Sequence, residues 1–304
     1  MPLNELVVIS GKGGTGKTSL VASFAALAGK VVLADCDVDA ADLHLIMSPT
    51  LRKREDFWCG HEASIRQKDC IQCGACLARC KFDAVRMADG NGGESSFSIE
   101  PNACEGCGVC VWSCPVKAID FPERLSGEWY VSDTRHGPMV HARLIPGGEN
   151  SGKLVSKVKE TARALAISNQ ADFLLVDGPP GVGCAVIASI SGATRVLIVT
   201  EPTLSGEHDM ARVLELTRHF HIPAAVCVNK WDLNPEMTER IEVDAHRAGA
   251  ALAGRVRYDR GVTAAQLQGR AVVEVDSGPL AADIRAVWNN INHFEQSLSG
   301  RVTP

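Results

Sequence analysis

Two groups of residues have types and spacing that suit chemistry. Gly11, Lys12, Gly13, Gly14, Thr15, Gly16, Lys17 and Thr18 spell GKGGTGKT between an apolar run and an alanine-rich one. Glycines permit tight turns and close backbone approach, so successive N–H groups and the start of a following helix can surround phosphate oxygens. In this pattern Lys17 contacts the β- and γ-phosphates of a nucleotide and the Thr18 hydroxyl binds Mg2+. The second group is a doubled Cys-x2-Cys-x2-Cys-x3-Cys run: Cys70, Cys73, Cys76 and Cys80, then Cys104, Cys107, Cys110 and Cys114. Such short gaps wrap a loop around a metal centre, and the choices are two iron–sulfur clusters or two zinc sites.

Both groups need a scaffold. Leu6–Ser10 reads as a buried strand entering the glycine-rich turn, and the stretch from Ser19 to Ala28 as the helix after it. VVLADCD, FLLVDGPP, TRVLIVTEP and AAVCVNKWD are further apolar, β-rich runs ending in polar or turn residues, separated by helical stretches such as SGKLVSKVKETARALA. Strands alternating with helices and apolar on both faces imply an α/β fold with a doubly wound, mostly parallel sheet. Ligands of such sheets bind at the carboxyl ends of the strands. Between Phe57 and Asp120 the alternation gives way to glycine, cysteine and short loops, then resumes. The expected organisation is therefore 1–57 and 121–304 as one domain, with 58–120 inserted as an α+β module. The segment around His136, Gly137 and Pro138 has partial period-two alternation and reads as a hairpin.

Composition narrows the class. The 304 residues are 45% apolar, enough for a large core, and carry 31 basic against 36 acidic side chains without a long run of either sign. Nothing favours nucleic acid or an anionic membrane as a partner. The chain shows no leader pattern and no run of 18 apolar residues, so a cytoplasmic protein is expected. In that compartment clustered cysteines point to metal rather than disulfides, and eight of the twelve lie between Cys70 and Cys114. Cys36, Cys59 and Cys227 read as small buried groups, as does Cys184, which is flagged by its place after the GPPG turn. A C-terminal stripe of Ile284, Val287, Trp288, Ile291 and Phe294 has too few basic neighbours for a membrane helix and is expected to pack in the core.

The loop lysine Lys12 resembles the signature lysine of the MinD/ParA ATPases, a family that also holds the nitrogenase iron protein and Mrp-type iron–sulfur carriers. In that family the lysine reaches across a dimer to the partner's nucleotide, so the resemblance implies a nucleotide-sandwich dimer, homomeric or with a related ATPase. It further implies that Asp37, in LADCDVDAADLHL, orients the attacking water, with Asp35 at the strand end. Asp177, in LLVDGPPG, would serve Mg2+, with Gly178–Gly181 as a mobile turn that senses the γ-phosphate. Asn229 would contact the base. Asn229-Lys230-Trp231-Asp232 also fits the guanine-reading Asn-Lys-x-Asp pattern, leaving GTP as the alternative to ATP.

The cysteine runs resemble the bacterial two-cluster ferredoxins, with Lys81 where the first run would usually carry proline. By that resemblance Cys70, Cys73, Cys76 and Cys114 hold one [4Fe-4S] cluster, and Cys80, Cys104, Cys107 and Cys110 the other. The combined expectation is an ATP- and Mg2+-dependent hydrolase that couples nucleotide state to electron transfer with a redox partner. The alternatives are cluster delivery to an apo-protein client, and a positioning or regulatory switch with redox-sensing clusters.

Overall fold

The computed structural model describes residues 3–89, 95–145 and 151–299. Of the expected C-terminal stripe, the Phe294 side chain lies outside the described residues. The chain divides into two compact units: Met1–Glu55, Trp129–Arg143 and Ser151–Pro304 form one, and Asp56–Glu128 with Leu144–Asn150 the other, within the described residues.

The first unit is built on strands β1 (Asn4–Ser10), β2 (Val31–Asp35), β10 (Phe173–Pro180), β11 (Arg195–Thr200), β12 (Ala224–Asn229) and β13 (Ala251–Val256). With β3 (Thr50–His61), β8 (Glu123–Asp133) and β9 (Pro138–Leu144) they form a nine-stranded sheet in the order β13-β12-β11-β1-β10-β2-β9-β8-β3. The central pairs are parallel, and β2 pairs with β9 in parallel as well. The expected hairpin exists: β8 and β9 are neighbours, and the Thr134 N–H donates to the Gly137 carbonyl across the turn.

Helices cover both faces, which is why these strands are apolar without alternation. On one face Leu6, Val8, Leu33, Leu175, Leu197 and Val199 form a cluster with Phe24 of α1 (Lys17–Leu27), Leu43 of α2 (Leu43–Met47) and Ile284, Val287, Trp288 and Ile291 of α11 (Pro279–Ser299). The Trp288 ring lies 5.2 Å from both Phe24 and Phe173. The described part of the C-terminal stripe is thus core, each large side chain contributing about 1.5–3 kcal/mol by its burial. Val7, Ile9, Leu174 and Val176, on the alternate positions, are equally buried; helices α5 (Ser151–Ser168), α6 (Cys184–Ile190) and α7 (Leu204–His219) pack against β2, β10 and β11 respectively.

The second unit repeats itself with a constant offset of 34 residues, as Cys70 to Cys104 and Cys80 to Cys114 show. A 3-10 turn at Gln67–Asp69 and helix α3 (Ala75–Arg79) match a 3-10 turn at Pro101–Ala103 and helix α4 (Val109–Ser113). Strands β4 (Ser64–Ile65) and β7 (Ile119–Asp120) form one small antiparallel sheet, β5 (Val85–Asp89) and β6 (Ser95–Ile99) another. Backbone torsions repeat too: Gln72 and Gly106, Gly74 and Gly108, and Asp83 and Lys117 all have positive φ.

Candidate functional site

Gly11–Gly16 leaves the carboxyl end of β1, and α1 begins at Lys17. Gly16 has φ 90°, and a Cβ there would lie 2.5 Å from Asn229 Nδ2, so glycine is required by both torsion and space. Asn229, at the end of β12, donates from Nδ2 to the Thr15 carbonyl (2.7 Å) and accepts at Oδ1 from the Lys230 N–H (3.0 Å). It therefore braces the loop and is not among the residues lining the cleft beside it.

That cleft encloses about 840 Å³ and is lined by Gly13, Gly14 and Gly16 of the loop, Lys17, Thr18 and Ser19 at the start of α1, Asp37, Asp39 and Asp42 after β2, Pro179 and Pro180 at the end of β10, Cys184 of α6, and Gln266 and Leu267 of α9 (Gly261–Leu267), among others. Lys17 is 5% exposed and Asp177 1%. The parallel register sets Asp177 beside Asp35 on β2. Asp35 accepts from the N–H groups of Asp37 and Leu43, both at 3.2 Å, whereas neither oxygen of Asp177 has a hydrogen-bond partner of normal geometry. Burial, then the Asp177 charge, pushes the Asp35 carboxyl well up. Burial likewise raises Asp177, opposed by the Thr18 hydroxyl and Lys17. Asp37 is raised by burial as well, and lowered by Lys17. A buried carboxylate without a partner of normal geometry beside a glycine-rich loop is an unfinished site: the oxygens of Asp177 and Thr18 are a donor set that fits Mg2+, a hard cation that takes oxygen ligands.

The expected mobile turn differs from what is found. Gly178, Pro179 and Pro180 are the last residues of β10, paired with β1 as far as Ser10 opposite Pro180. A Cβ at Gly178 would fall 2.5 Å from Ile9 Cγ2, so this glycine admits β1 closely and the turn starts only at Gly181, φ 94°. The Gly181 N–H donates to the Ser10 carbonyl, tying the turn to the loop.

Lys12 is occupied. Its ammonium lies 3.1 Å from Glu201 Oε2 and donates to the hydroxyls of Thr203 (3.4 Å) and Ser205 (3.3 Å). Glu201 also holds Lys230 at 2.5 Å, and Lys230 reaches the Gly14 carbonyl at 3.4 Å. Glu201 was not expected; its only sequence signal is a carboxylate immediately after a buried strand.

In the second unit the eight thiols surround two cavities. One is lined by Cys70, Cys73, Cys76 and Cys114, the other by Cys80, Cys104, Cys107 and Cys110. Each run thus gives three thiols to one cavity and its last to the other. The remaining lining is largely apolar: Ile65, Phe97 and Ile119 in the first, Ala63, Val85 and Ile99 in the second. Burial raises the Cys76 and Cys110 thiols. At Cys80 burial acts in the same sense but is outweighed by the Phe82, Ala84 and Val85 N–H groups, which favour the thiolate. The Ala118 N–H donates to Cys114 Sγ at 3.2 Å. Among the described residues no three such side chains converge as the shell of a single metal ion. Thiols spread around a cavity, with amides aimed at sulfur, fit a cubane cluster, whose potential such hydrogen bonds tune. Of the other cysteines, Cys36 and Cys227 are buried, Cys59 is half-buried and Cys184 is exposed in the cleft beside the glycine-rich loop.

Comparison with known proteins agrees with both units. Residues 63–121 match the 4Fe-4S dicluster domain family. The chain resembles the cell division ATPase MinD of Pyrococcus furiosus (15% identity, TM-score 0.56, 96% of this chain and 99% of that one). It also resembles MinD of Pyrococcus horikoshii solved with Mg-ADP (14%, 0.57, 96% and 97%). The class defined is the MinD/ParA P-loop ATPase fold carrying a 4Fe-4S dicluster domain. Over 234 residues the chain is 35% identical to uncharacterized protein MJ0578 of Methanocaldococcus jannaschii, covering 76% of this chain and 79% of that protein, and it belongs to that protein's family. Uncharacterized protein MJ0579 of the same organism is 27% identical over 241 residues. Among the described residues no helix is long and apolar enough to cross a membrane.

Proposed function

We propose that the protein binds and hydrolyses Mg-ATP and couples its nucleotide state to electron transfer through two [4Fe-4S] clusters. The observation that carries the ATP half is Asp177, a carboxylate 1% exposed with both oxygens unpartnered beside Lys17 and Thr18. In this reading the loop N–H groups and Lys17 bind the phosphates, Thr18 and Asp177 hold Mg2+, and Asp37 orients water for in-line attack. Positioning and charge stabilisation are the main contributions a protein makes to phosphoryl transfer. The two cavities would each hold a cluster, which supplies one-electron chemistry when bound.

Lys12 completes the site in trans: released from Glu201, it reaches a partner's phosphates in a dimer. Glu201→Gln should therefore promote nucleotide-dependent dimerisation. A half-exposed ion pair contributes about 0.2–1 kcal/mol, so the nucleotide concentration giving half-maximal dimer should fall by about 1.5–5-fold. Light scattering during an ATP titration reads this, and an unchanged midpoint would refute the parked-lysine reading.

Cluster assignment is tested by Cys114→Ala. Removing this thiol should cut iron from about eight per chain to about four, and the EPR signal lost should be the one also lost in Cys73→Ala. Loss together with the Cys107→Ala signal would mean that each run holds its own cluster. The coupling itself is read from anaerobically purified protein by dithionite titration with and without Mg-ATP. A nucleotide-dependent change in potential or accessibility supports gated electron transfer; full iron with no nucleotide effect favours cluster delivery or a redox-sensing switch.

A further inference from the structure

The 34-residue repeat allows the surroundings of the two thiol cavities to be compared position by position on the same backbone. In the half around Cys70, Cys73, Cys76 and Cys114 the sequence carries Arg66, Lys68, Ile71 and Lys117; at the equivalent positions around Cys80, Cys104, Cys107 and Cys110 it carries Glu100, Asn102, Glu105 and Asp83. The backbone match is close: Arg66 donates to the Ala118 carbonyl and Glu100 to the Ala84 carbonyl, each at 2.8 Å. Four equivalent positions have thus turned from basic or apolar to acidic or neutral with the scaffold unchanged.

The acids of the first half are neutralised. Arg66 pairs with Asp69 at 2.6 Å and with Asp120, and donates to the Lys117 carbonyl at 2.6 Å. This draws the Lys68 turn and the Lys117 turn to one place. Both lysines are exposed, and neither has an ion pair among the described residues. Ile71 and Val116, three residues after Lys68 and one before Lys117, are 60% and 41% exposed and line the cavity itself. The other half offers a mixed surface, with Glu100, Glu105 and Asp83 exposed as well as Lys81 and Arg86, and with Phe82, Val109 and Trp112 exposed too. An apolar lip flanked by unpaired ammonium groups has the composition of an encounter surface for an anionic protein, because long-range attraction sets the approach and the apolar centre sets the contact.

The geometry points to the Cys70/Cys73/Cys76/Cys114 end of the second unit as the docking face for an acidic one-electron carrier protein, with Lys68 and Lys117 as its recognition charges. This rests on reading the two cavities as cluster sites. A cluster held by Cys70, Cys73, Cys76 and Cys114 would take up the single electron that the reduced carrier loses, with no bond made or broken.

The test uses the full-length protein with its clusters, an acidic plant-type ferredoxin as probe and cytochrome c as the basic control. Lys117→Asp introduces the residue that the sister repeat already bears at the same positive φ, and Lys68→Glu lies on an exposed turn, so the doubly substituted protein should fold. Binding is measured by calorimetry at low and high salt. Reversing two rim charges should weaken ferredoxin binding by about ten-fold or more at low salt and flatten its salt dependence, since such contacts are screened over about 10 Å at 0.1 M. Iron content and EPR should be unchanged. The mirror variant Asp83→Lys/Glu105→Ile should leave the affinity within about two-fold, as charges remote from a contact act weakly through salt. Unchanged affinity in the Lys68/Lys117 variant, an equal loss in the mirror variant, or preference for cytochrome c would overturn the docking face. A protein that purifies without iron would instead remove the cluster reading beneath it.

Discussion

Replacing Asp177 by Asn is expected to stabilise the nucleotide-free protein while abolishing its response to Mg-nucleotide. The carboxylate is sealed between β1 and β2, beside a second buried acid, Asp35, with no hydrogen-bond partner of normal geometry. An unpaired buried charge costs several kcal/mol, and only part of that is returned by Lys17 and Thr18. An amide of the same shape removes the charge and the repulsion of Asp35, so the melting temperature should rise by about 2–6 °C. Mg-ATP at a hundred times its dissociation constant should stabilise the native protein by about 2.7 kcal/mol; the variant should show little of this shift. Turnover should drop by about 10²-fold or more, the usual cost of losing one preorganised electrostatic group. Differential scanning fluorimetry with and without Mg-ATP reads the first two effects. A variant that melts earlier, or that keeps the Mg-dependent shift, would remove Asp177 from the metal role.

The second large effect lies at the far end of the same strand. Glu5 opens β1 at 2% exposure and bonds Lys159 of α5 at 2.7 Å; Arg163 donates to its other oxygen at 2.6 Å. Lys159 is itself 3% exposed and donates to the Ser189 and Ser191 carbonyls. Burial lowers its pKa and the Glu5 charge raises it again. Glu5→Ala strands that ammonium against carbonyls alone, and breaking a buried pair from one side costs about 3–5 kcal/mol. Urea denaturation followed by far-ultraviolet circular dichroism should show the first unit unfolding at clearly lower urea, with turnover per folded molecule preserved because the pair is remote from the loop. A loss below about 1 kcal/mol would mean that water relieves the lysine, as it does for exposed pairs.

How much was legible in the sequence depended on range. The phosphate loop and the doubled cysteine run are local signals, because the geometry they impose is set within a few residues. The apolar strands were legible because both sheet faces are covered. The role of Glu5 was not: one acid at the start of a strand looks solvent-exposed until α5 supplies Lys159 from over a hundred and fifty residues away. Nor was the grip of Glu201 on Lys12, which needs β11 to lie beside β1. The Gly178–Gly181 segment is a mobile turn in the family it resembles; register with β1 makes three of its four residues strand here. Asn229 has the residue type for a base contact; that its carboxamide also holds the Thr15 carbonyl and the Lys230 N–H is something only the folded backbone reveals.

Glu201 is shared by two lysines, and this bears on rates. In the proposed dimer Lys12 would leave Glu201 with Lys230, 2.5 Å away, and the depression of its pKa, in which both ammonium groups outweigh burial, would be reduced rather than abolished. The Lys12 side chain is already 32% exposed and would be met by water as it departs. In the proposed dimer no bare charge would be left behind in either place, so the kinetic barrier to arming the loop would be low and set by diffusion of the second molecule. Nucleotide would then act by holding the armed form once formed, and the lifetime of the assembly, more than its rate of formation, would measure the bound phosphate.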